Sequence, residues 1–219
     1  MTENINIPGE SSEAVPVVAA SNTGSTILLP IEALTILCLH VTSIITISRD
    51  IHCTPILQRR LSDESTDKEE HSAIRDEVLV RKFSTKKAPG ISLREYLLRL
   101  HQYCPMSAAV YLATSWYITR MALVEKIISV TTHNAHRLVL SGLRVATKIL
   151  EDLHHSHTRF SMVGGVSTRE LTRLEICFCY LMDFDLKING DILSQEITLF
   201  QDRCDTAFPG RPIMAATIC

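Results

Sequence analysis

The sequence lacks several features that mark common classes of protein. Only 5% of its 219 residues are aromatic, one of them tryptophan, and its seven cysteines are widely spaced without a CxxC pair. An odd number of dispersed cysteines argues against a disulfide framework and favours reduced thiols. A formal net charge of −2 gives no basic footprint for nucleic acid. We therefore expect a protein of the cytoplasm, the nucleus or both, without a nucleic-acid partner.

Motifs for catalysis are also missing. The pair Gly164–Gly165 stands in neither a phosphate-binding loop nor a dinucleotide fingerprint, and no nucleophile has a recognisable motif around it. Histidines cluster in two places, where they raise a zinc or general-base hypothesis, but no further set of ligands converges on them in the sequence. These clusters are His133 with His136, and His154 with His155 and His157. We predict no catalytic residue, no metal and no cofactor, and hence a protein that is not an enzyme.

The N-terminal part contains a long apolar stretch. The first residues, MTENINIPGE, show no basic region followed by an apolar core, so we expect no secretory signal, and residues 1–26 are expected to form a disordered tail. The stretch from Ile27 to Ile47 is apolar enough for a membrane span, but Pro30, Glu32 and His40 interrupt it. Pro30 suits a first helical turn and Glu32 the positive helix end. We predict a helix over residues 27–50 that packs on the rest of the protein and does not enter a membrane.

Charged and polar residues dominate from residue 51 to residue 90, with acids first and bases later. This composition indicates a solvated insert or linker, partly helical around His71 to Lys82. Its basic stretch, RKFSTKK, is a candidate nuclear address or a phosphorylation site at Ser84 or Thr85. A soluble surface segment is the favoured interpretation.

The segment from His136 to Asp152 has the pattern of a helix that is buried on most sides. Apolar residues recur at steps of three and four, which leaves one narrow polar line. Such a helix belongs in the middle of a bundle. Its apolar positions are Leu138, Val139, Leu143, Val145, Ala146, Ile149, Leu150 and Leu153. Its polar line consists of Arg137, Ser141, Arg144, Lys148, Glu151 and Asp152.

A second patterned helix follows the two glycines. Ser167 and Glu170 have the spacing of a capping box, which predicts where this helix begins. Glu175 is the only acid in an otherwise apolar run from Leu174 to Met182. Because an unpaired carboxylate is costly to bury, Glu175 either lies in solvent on an amphipathic helix or meets the cation or backbone of a partner. The core stripe of this helix is Leu171, Leu174, Phe178, Leu181 and Met182.

These segments resemble the cyclin family, and within it the short P/U-type cyclins with a single cyclin box. The resemblance rests on HRLVLSGLRVATKILEDL, on RFSMVGGVSTRELTRLEICFCYLMDFDL, and on SLREYLLRLHQY, which is similar to the first box helix. It extends over about residues 91–200 and more faintly over residues 29–50. It implies an all-α fold with a single five-helix cyclin box over residues 91–204. The additional N-terminal helix and the charged insert precede the box, and residues 205–219 follow it as a C-terminal tail.

The resemblance also implies a function. The chain would be a regulatory subunit that binds and activates a cyclin-dependent protein kinase. Lys148 and Glu175 align with the lysine and glutamate by which cyclins hold the kinase backbone before its regulatory C-helix. Asp152 matches an acidic position that could pair with a kinase arginine, and Arg144, on the same polar line, is a further candidate for contact with the kinase. An intrahelical pair between Lys148 and Asp152 is the simpler alternative for those two residues.

The sequence leaves more than one biological interpretation open. Kinase regulation in cell-cycle control is the first, and nutrient or phosphate signalling is the variant suggested by the yeast members of the group. A cyclin-box scaffold that binds a non-kinase protein is the interpretation from a different functional class.

Overall fold

The computed structural model describes residues 28–50, 67–152 and 155–207, and all regular structure within these ranges is helical. The helices are α1 (Pro30–Asp50), α2 (Asp67–Arg81), α3 (Leu93–Tyr103), α4 (Ala108–Thr119), α5 (Ala135–Leu150), α6 (His157–Val163), α7 (Thr168–Leu181) and α8 (Gly190–Ala207). A π-helical turn, Arg120–Val124, continues α4. The predicted all-α class is confirmed. The predicted N-terminal tail lies outside the described residues, as does the C-terminal segment beyond α8.

Helices α4 and α5 form the centre of the bundle. α4 packs against α1, α5 and α8, and α5 packs against α3, α4 and α7. Gly142 permits the close crossing of α5 with its neighbours, since a Cβ atom there would lie 2.9 Å from Thr114 Cγ2 and 3.2 Å from Phe178 Cζ. The five long helices in the region predicted for the box are α3, α4, α5, α7 and α8, and the short α6 lies between α5 and α7.

The burial of α5 follows the predicted pattern except in its last turn. Leu138, Val139 and Leu143 are completely buried. Ile149, which the sequence pattern places in the apolar face, is 43% exposed, and Leu150 is only partly buried. The prediction was wrong for Ile149 because its side chain, like that of Lys148 before it, lies on the side of the last turn of α5 that the described residues leave exposed.

The contrast within α5 provides a stability test. Replacing Leu143 by alanine should lower the free energy of unfolding by about 2–5 kcal/mol, because the deletion leaves a cavity among packed helices. The matched change Ile149→Ala, on the exposed turn of the same helix, should cost no more than about 0.5 kcal/mol. Urea unfolding followed by circular dichroism measures both, and equal losses would contradict this assignment of burial.

Helix α1 begins as its sequence predicts and packs on the bundle. Pro30 is its first residue, and the Leu29 amide donates to Glu32 Oε2 at 2.8 Å. By length and composition Pro30–Ser48 could span a membrane, with a mean hydropathy of 1.8, but 44% of this stretch is buried in the protein. The buried face contacts α4 through apolar side chains that include Leu34, Leu37, Val41 and Ile44.

A buried polar network also ties α1 to the bundle. His40 Nδ1 lies 2.7 Å from Ser115 Oγ on α4, and the Ser115 hydroxyl donates to Glu196 Oε2 of α8 at 2.9 Å. All three side chains are buried. Because buried polar groups need such partners, the histidine that interrupts the apolar sequence fixes α1 against α4 and α8.

Part of the charged insert belongs to the folded body. α2 coincides with the segment predicted to be partly helical, but it packs against α7, and Phe83 just after it is completely buried. The amide and hydroxyl of Thr85 both donate to the carbonyl of His133, at 3.0 and 2.8 Å. Most side chains of residues 74–85 are exposed, as a solvated segment predicts, but Leu79, Val80 and Phe83 pack on the core and attach the segment to it.

His136 links the start of α5 to the segment before α3. Its burial predicts that the stability of the fold depends on pH. Its Nε2 donates to the Ile91 carbonyl at 3.0 Å, its ring packs on Tyr96, and burial lowers the pKa of His136. The unfolded chain takes up this proton near about pH 6.5, and the folded protein takes it up only at lower pH. The stability contribution is therefore complete above about pH 6.5 and is lost as the pH falls below it. A His136→Gln variant should show a shallower loss of stability on acidification, which denaturant unfolding at a series of pH values measures; parallel profiles would refute it.

Candidate protein-binding site on α5 and α7

Helices α5 and α7 bring three of the predicted site residues together. Glu175 of α7 accepts from Arg144 Nε at 3.1 Å with one carboxylate oxygen and from Lys148 Nζ at 2.9 Å with the other. The two cations lie four residues apart on α5 and therefore stack on one side of the helix. The acid that the sequence leaves either solvated or paired is buried and neutralised within the chain.

Arg144 is the buried member of this triad. Its side chain is 3% exposed, it donates from Nη1 to the His155 carbonyl at 2.8 Å, and its guanidinium lies over the Phe160 ring. These contacts come from α7, α6 and the segment before α6, so Arg144 has no surface to offer a partner. The prediction that Arg144 contacts a kinase is thus replaced by a different role, that of holding the Glu175 carboxylate in place.

Lys148 and Asp152 are the accessible members of the predicted set. The Lys148 side chain is 44% exposed although its ammonium is bonded to Glu175. Asp152 is exposed and lies beyond the end of α5, and within the described part of the chain it forms no ion pair with Lys148. The alternative of an intrahelical pair is therefore wrong, since Lys148 turns towards α7. Glu151 between them has a structural role, because its Oε1 accepts from the Ser107 amide at the start of α4 at 2.7 Å.

Exposed apolar side chains lie next to the ion pair along the same two helices, and the sequence analysis missed them as a surface. They follow Lys148 on α5 and Glu175 on α7, and they continue one turn further to an aromatic pair whose ring centroids are 5.1 Å apart. Exposed aromatic and aliphatic groups beside polar residues are typical of protein interfaces. We call this set the apolar rim: Ile149 (43% exposed), Ile176 (51%), Tyr180 (44%) and Phe184 (61%).

The backbone after α7 directs the last member of the rim outward. Asp183 and Phe184 have φ values of 50° and 57°, a left-handed conformation that is uncommon for residues other than glycine. The Phe184 amide still donates to the Cys179 carbonyl at 2.9 Å, which ends the helix. Such strained positions are frequent at functional sites, where the surrounding structure holds them. The spacing of Tyr180 and Phe184 outside the core stripe was the available sequence signal.

The start of α7 is only partly as predicted. Ser167 Oγ accepts from the Glu170 amide at 3.1 Å, as a capping box requires. Among the described contacts, however, the Glu170 carboxylate does not return to the Ser167 amide but forms an ion pair with Arg137 of α5. Gly165, with φ of 71°, makes the turn that precedes this helix. Ser167 and Glu170 thus fix both the beginning of α7 and its contact with α5.

The histidines and cysteines near the site have ordinary structural roles. His133, His155 and His157 each lie within hydrogen-bond distance of a backbone carbonyl. In the part of the chain that the structure describes, no three side chains of the metal-binding types lie together. Burial raises the pKa of the Cys179 thiol and the nearby Glu175 carboxylate raises it further, so this thiol stays protonated beside the site.

These features define the class of the protein. The fold is an all-helical bundle, and its most distinctive surface is a charged centre from two helices within an exposed apolar rim. This arrangement is suited to binding another protein. The chain belongs to the cyclin family, whose model matches residues 42–186, a range that includes Lys148, Glu175 and the apolar rim.

Curated relatives agree with this assignment. The chain is 36% identical over 102 residues to Cyclin-P1-1 of Oryza sativa subsp. japonica, which covers 47% of this chain and 39% of the rice protein. It is 29% identical over 153 residues to PHO85 cyclin-7 of Saccharomyces cerevisiae (63% and 54%) and 33% identical over 119 residues to the PHO85 cyclin-like protein psl1 of Schizosaccharomyces pombe (51% and 49%). The chain therefore spans about half the length of the curated relatives it matches, or less.

Proposed function

We propose that this protein is a regulatory subunit that binds and activates a cyclin-dependent protein kinase. The observation that carries the proposal is the half-exposed Lys148 ammonium, held by a buried carboxylate, at the centre of the apolar rim. Two relatives are named as PHO85 cyclins or PHO85 cyclin-like, so a kinase of the PHO85 kind is the first candidate partner. The kinase would supply the catalysis, and the complex would act in the cytoplasm or nucleus.

The chemistry of the site is suited to holding an extended backbone segment. The Lys148 ammonium has three N–H donors, of which one is directed to Glu175, so the others can donate to carbonyls of a partner. Such charge-assisted hydrogen bonds are about twice as strong as neutral ones. Glu175 keeps Lys148 in a fixed position, and Arg144 keeps Glu175 fixed in turn. The rim would exclude water around these bonds, as the surroundings of an interface hot spot do.

Binding at this surface would activate the kinase by shifting a conformational equilibrium. A kinase requires its C-helix in the position that completes the Lys–Glu ion pair of its active site. A partner that binds the segment before this helix favours the active state by its difference in affinity for the two states. Ile149 and Ile176, which flank the ion pair on two helices, would then pack against the C-helix.

Co-purification tests the proposal. The tagged full-length chain should recover a cyclin-dependent kinase that mass spectrometry identifies, and adding the purified chain to that kinase should raise its rate of substrate phosphorylation. Recovery of a stable non-kinase partner alone would instead support the scaffold interpretation. Binding of the kinase without any increase in its activity would contradict the activating role.

A further inference from the structure

A recess on the opposite side of α7 from the candidate kinase-binding surface has no role in the proposed function. It is a cavity of about 340 Å³ between the end of α2 and the first turns of α7. Glu175 is two residues beyond Arg173 and so points about 160° away from it around the helix. The recess is thus a separate feature of the surface. It is lined by Lys82, Ser167, Arg169, Glu170, Arg173 and Leu174.

The charges around the recess are unbalanced. Lys82, Arg169 and Arg173 are exposed, and none of them takes part in an ion pair with another described residue. The acid among the lining residues, Glu170, is already paired with Arg137. Arg169 and Arg173 are also four residues apart on one helix, where like charges repel each other. The recess therefore holds three positive charges whose repulsion no unpaired carboxylate among the lining residues reduces. A bound anion would reduce it.

The backbone at Lys82 is fixed by the fold. Lys82 is directly followed by the completely buried Phe83, and its carbonyl accepts from Arg137 Nη1 at 3.2 Å. Helix α2, which ends just before Lys82, packs against α7, and Lys82 lines the recess together with residues of the first turns of α7. The backbone that carries Lys82 is thus anchored against both α5 and α7. The basic recess is preformed and does not depend on a free segment.

We propose that this recess binds a phosphoserine or phosphothreonine side chain in a segment of a protein partner. A phosphate carries about −1.5 to −2 charges at neutral pH and three acceptor oxygens, which match a lysine and two arginines. Nucleic acid or a membrane would require a basic stripe or a broad basic plane, whereas these cations are confined to one recess in a chain of net charge −2.

A peptide titration tests the proposal on the full-length chain. The probe is a fluorescent seven-residue peptide of alanine and glycine with phosphothreonine at its centre, and the control probe is the same peptide with threonine. The phosphopeptide should bind at least about tenfold more tightly, because the added bonds are between charged groups. The double variant Lys82→Gln/Arg173→Gln should lose at least about tenfold in affinity. The matched variant Arg94→Gln/Arg99→Gln, two exposed arginines of α3, should bind like the parent.

Each result has a defined meaning. Equal binding of the two peptides, or unchanged binding by Lys82→Gln/Arg173→Gln, would overturn the proposal. Vesicles containing phosphatidylinositol phosphate that bind through Lys82 and Arg173 when the phosphopeptide does not would overturn the protein partner as the occupant. Because the mutated side chains are exposed, the variants should keep the thermal midpoint of the parent, and Arg169→Gln provides a second test of the recess. The double variant should also retain kinase binding. The phosphopeptide proposal and the kinase proposal are therefore tested independently.

Discussion

Replacing Lys148 by glutamate is expected to weaken kinase association by about thirtyfold to several thousandfold, because a hydrogen-bonded charge at a protein interface commonly contributes about 2–5 kcal/mol. The reversed charge would repel Glu175 and could not donate to a kinase carbonyl. Lys148→Gln should lose binding as well, without introducing the repulsion. Calorimetric titration against the recovered kinase measures the loss.

The control for this prediction is Lys86→Glu, an exposed lysine next to Thr85, which is bonded to His133 just before α5 and so lies at the opposite end of that helix from Lys148. It makes the same change in net charge away from the apolar rim, so its affinity should equal that of the parent. Both Lys148 variants should retain the helical circular dichroism of the parent, since Lys148 is largely exposed and Arg144 still neutralises Glu175. Parental kinase affinity in both Lys148 variants would show that the contact surface lies elsewhere.

Replacing Glu175 by glutamine is expected to destabilise the fold by about 3–5 kcal/mol, because it leaves the buried Arg144 cation without its counter-charge. The change is nearly isosteric, so the loss would come from the charge and not from a cavity. Sequence pattern alone suggests that Glu175 and Lys148 could both be reversed without unfolding the protein. Glu175 is only 7% exposed, so we expect charge reversal without unfolding for Lys148 alone. Chemical unfolding of the purified variant measures the effect.

The double variant Arg144→Met/Glu175→Met separates the possible causes. Replacing a whole buried ion pair by apolar residues of similar volume is often close to neutral, so the double variant should recover more than half of the stability lost in Glu175→Gln. If the double variant is as unstable as Glu175→Gln, the uncompensated charge is not the source of the loss. Neither variant is suitable for testing kinase contact, since both disturb the support of Lys148.

The sequence predicts the fold better than it predicts the site. The helical spacing of apolar residues correctly places α5 in the middle of the bundle, and Pro30 and Ser167 mark the starts of α1 and α7. The sequence pattern predicts burial wrongly where the environment of a side chain depends on which neighbouring element packs against it. The polar residues of α5 lie along one line, as predicted. Arg144 on this line is nevertheless buried, because α6 and the segment before it cover its side chain. Helical periodicity does not show which other segments pack against a residue.

The same limit explains the other errors. Ile149 has the spacing of a core residue, but its side chain lies on the exposed side of the last turn of α5. Phe83 lies in a strongly charged segment, and the composition of that segment predicts that its residues are exposed. Phe83 is nevertheless completely buried. The apolar rim was missed for a related reason: the spacing of Tyr180 and Phe184 places them outside the core stripe, but it does not show whether another element covers them.

The network of His40, Ser115 and Glu196 has a consequence for protein synthesis. His40 precedes its α4 partner by 75 residues, and Ser115 precedes its α8 partner by 81. At about 5–20 residues per second on the ribosome, α1 waits about 4–15 s before α4 is made. During that interval α1, a helix apolar enough to span a membrane, lacks the α4 surface that covers it in the folded protein. We therefore expect the rate of elongation between α1 and α4 to affect the yield of folded protein.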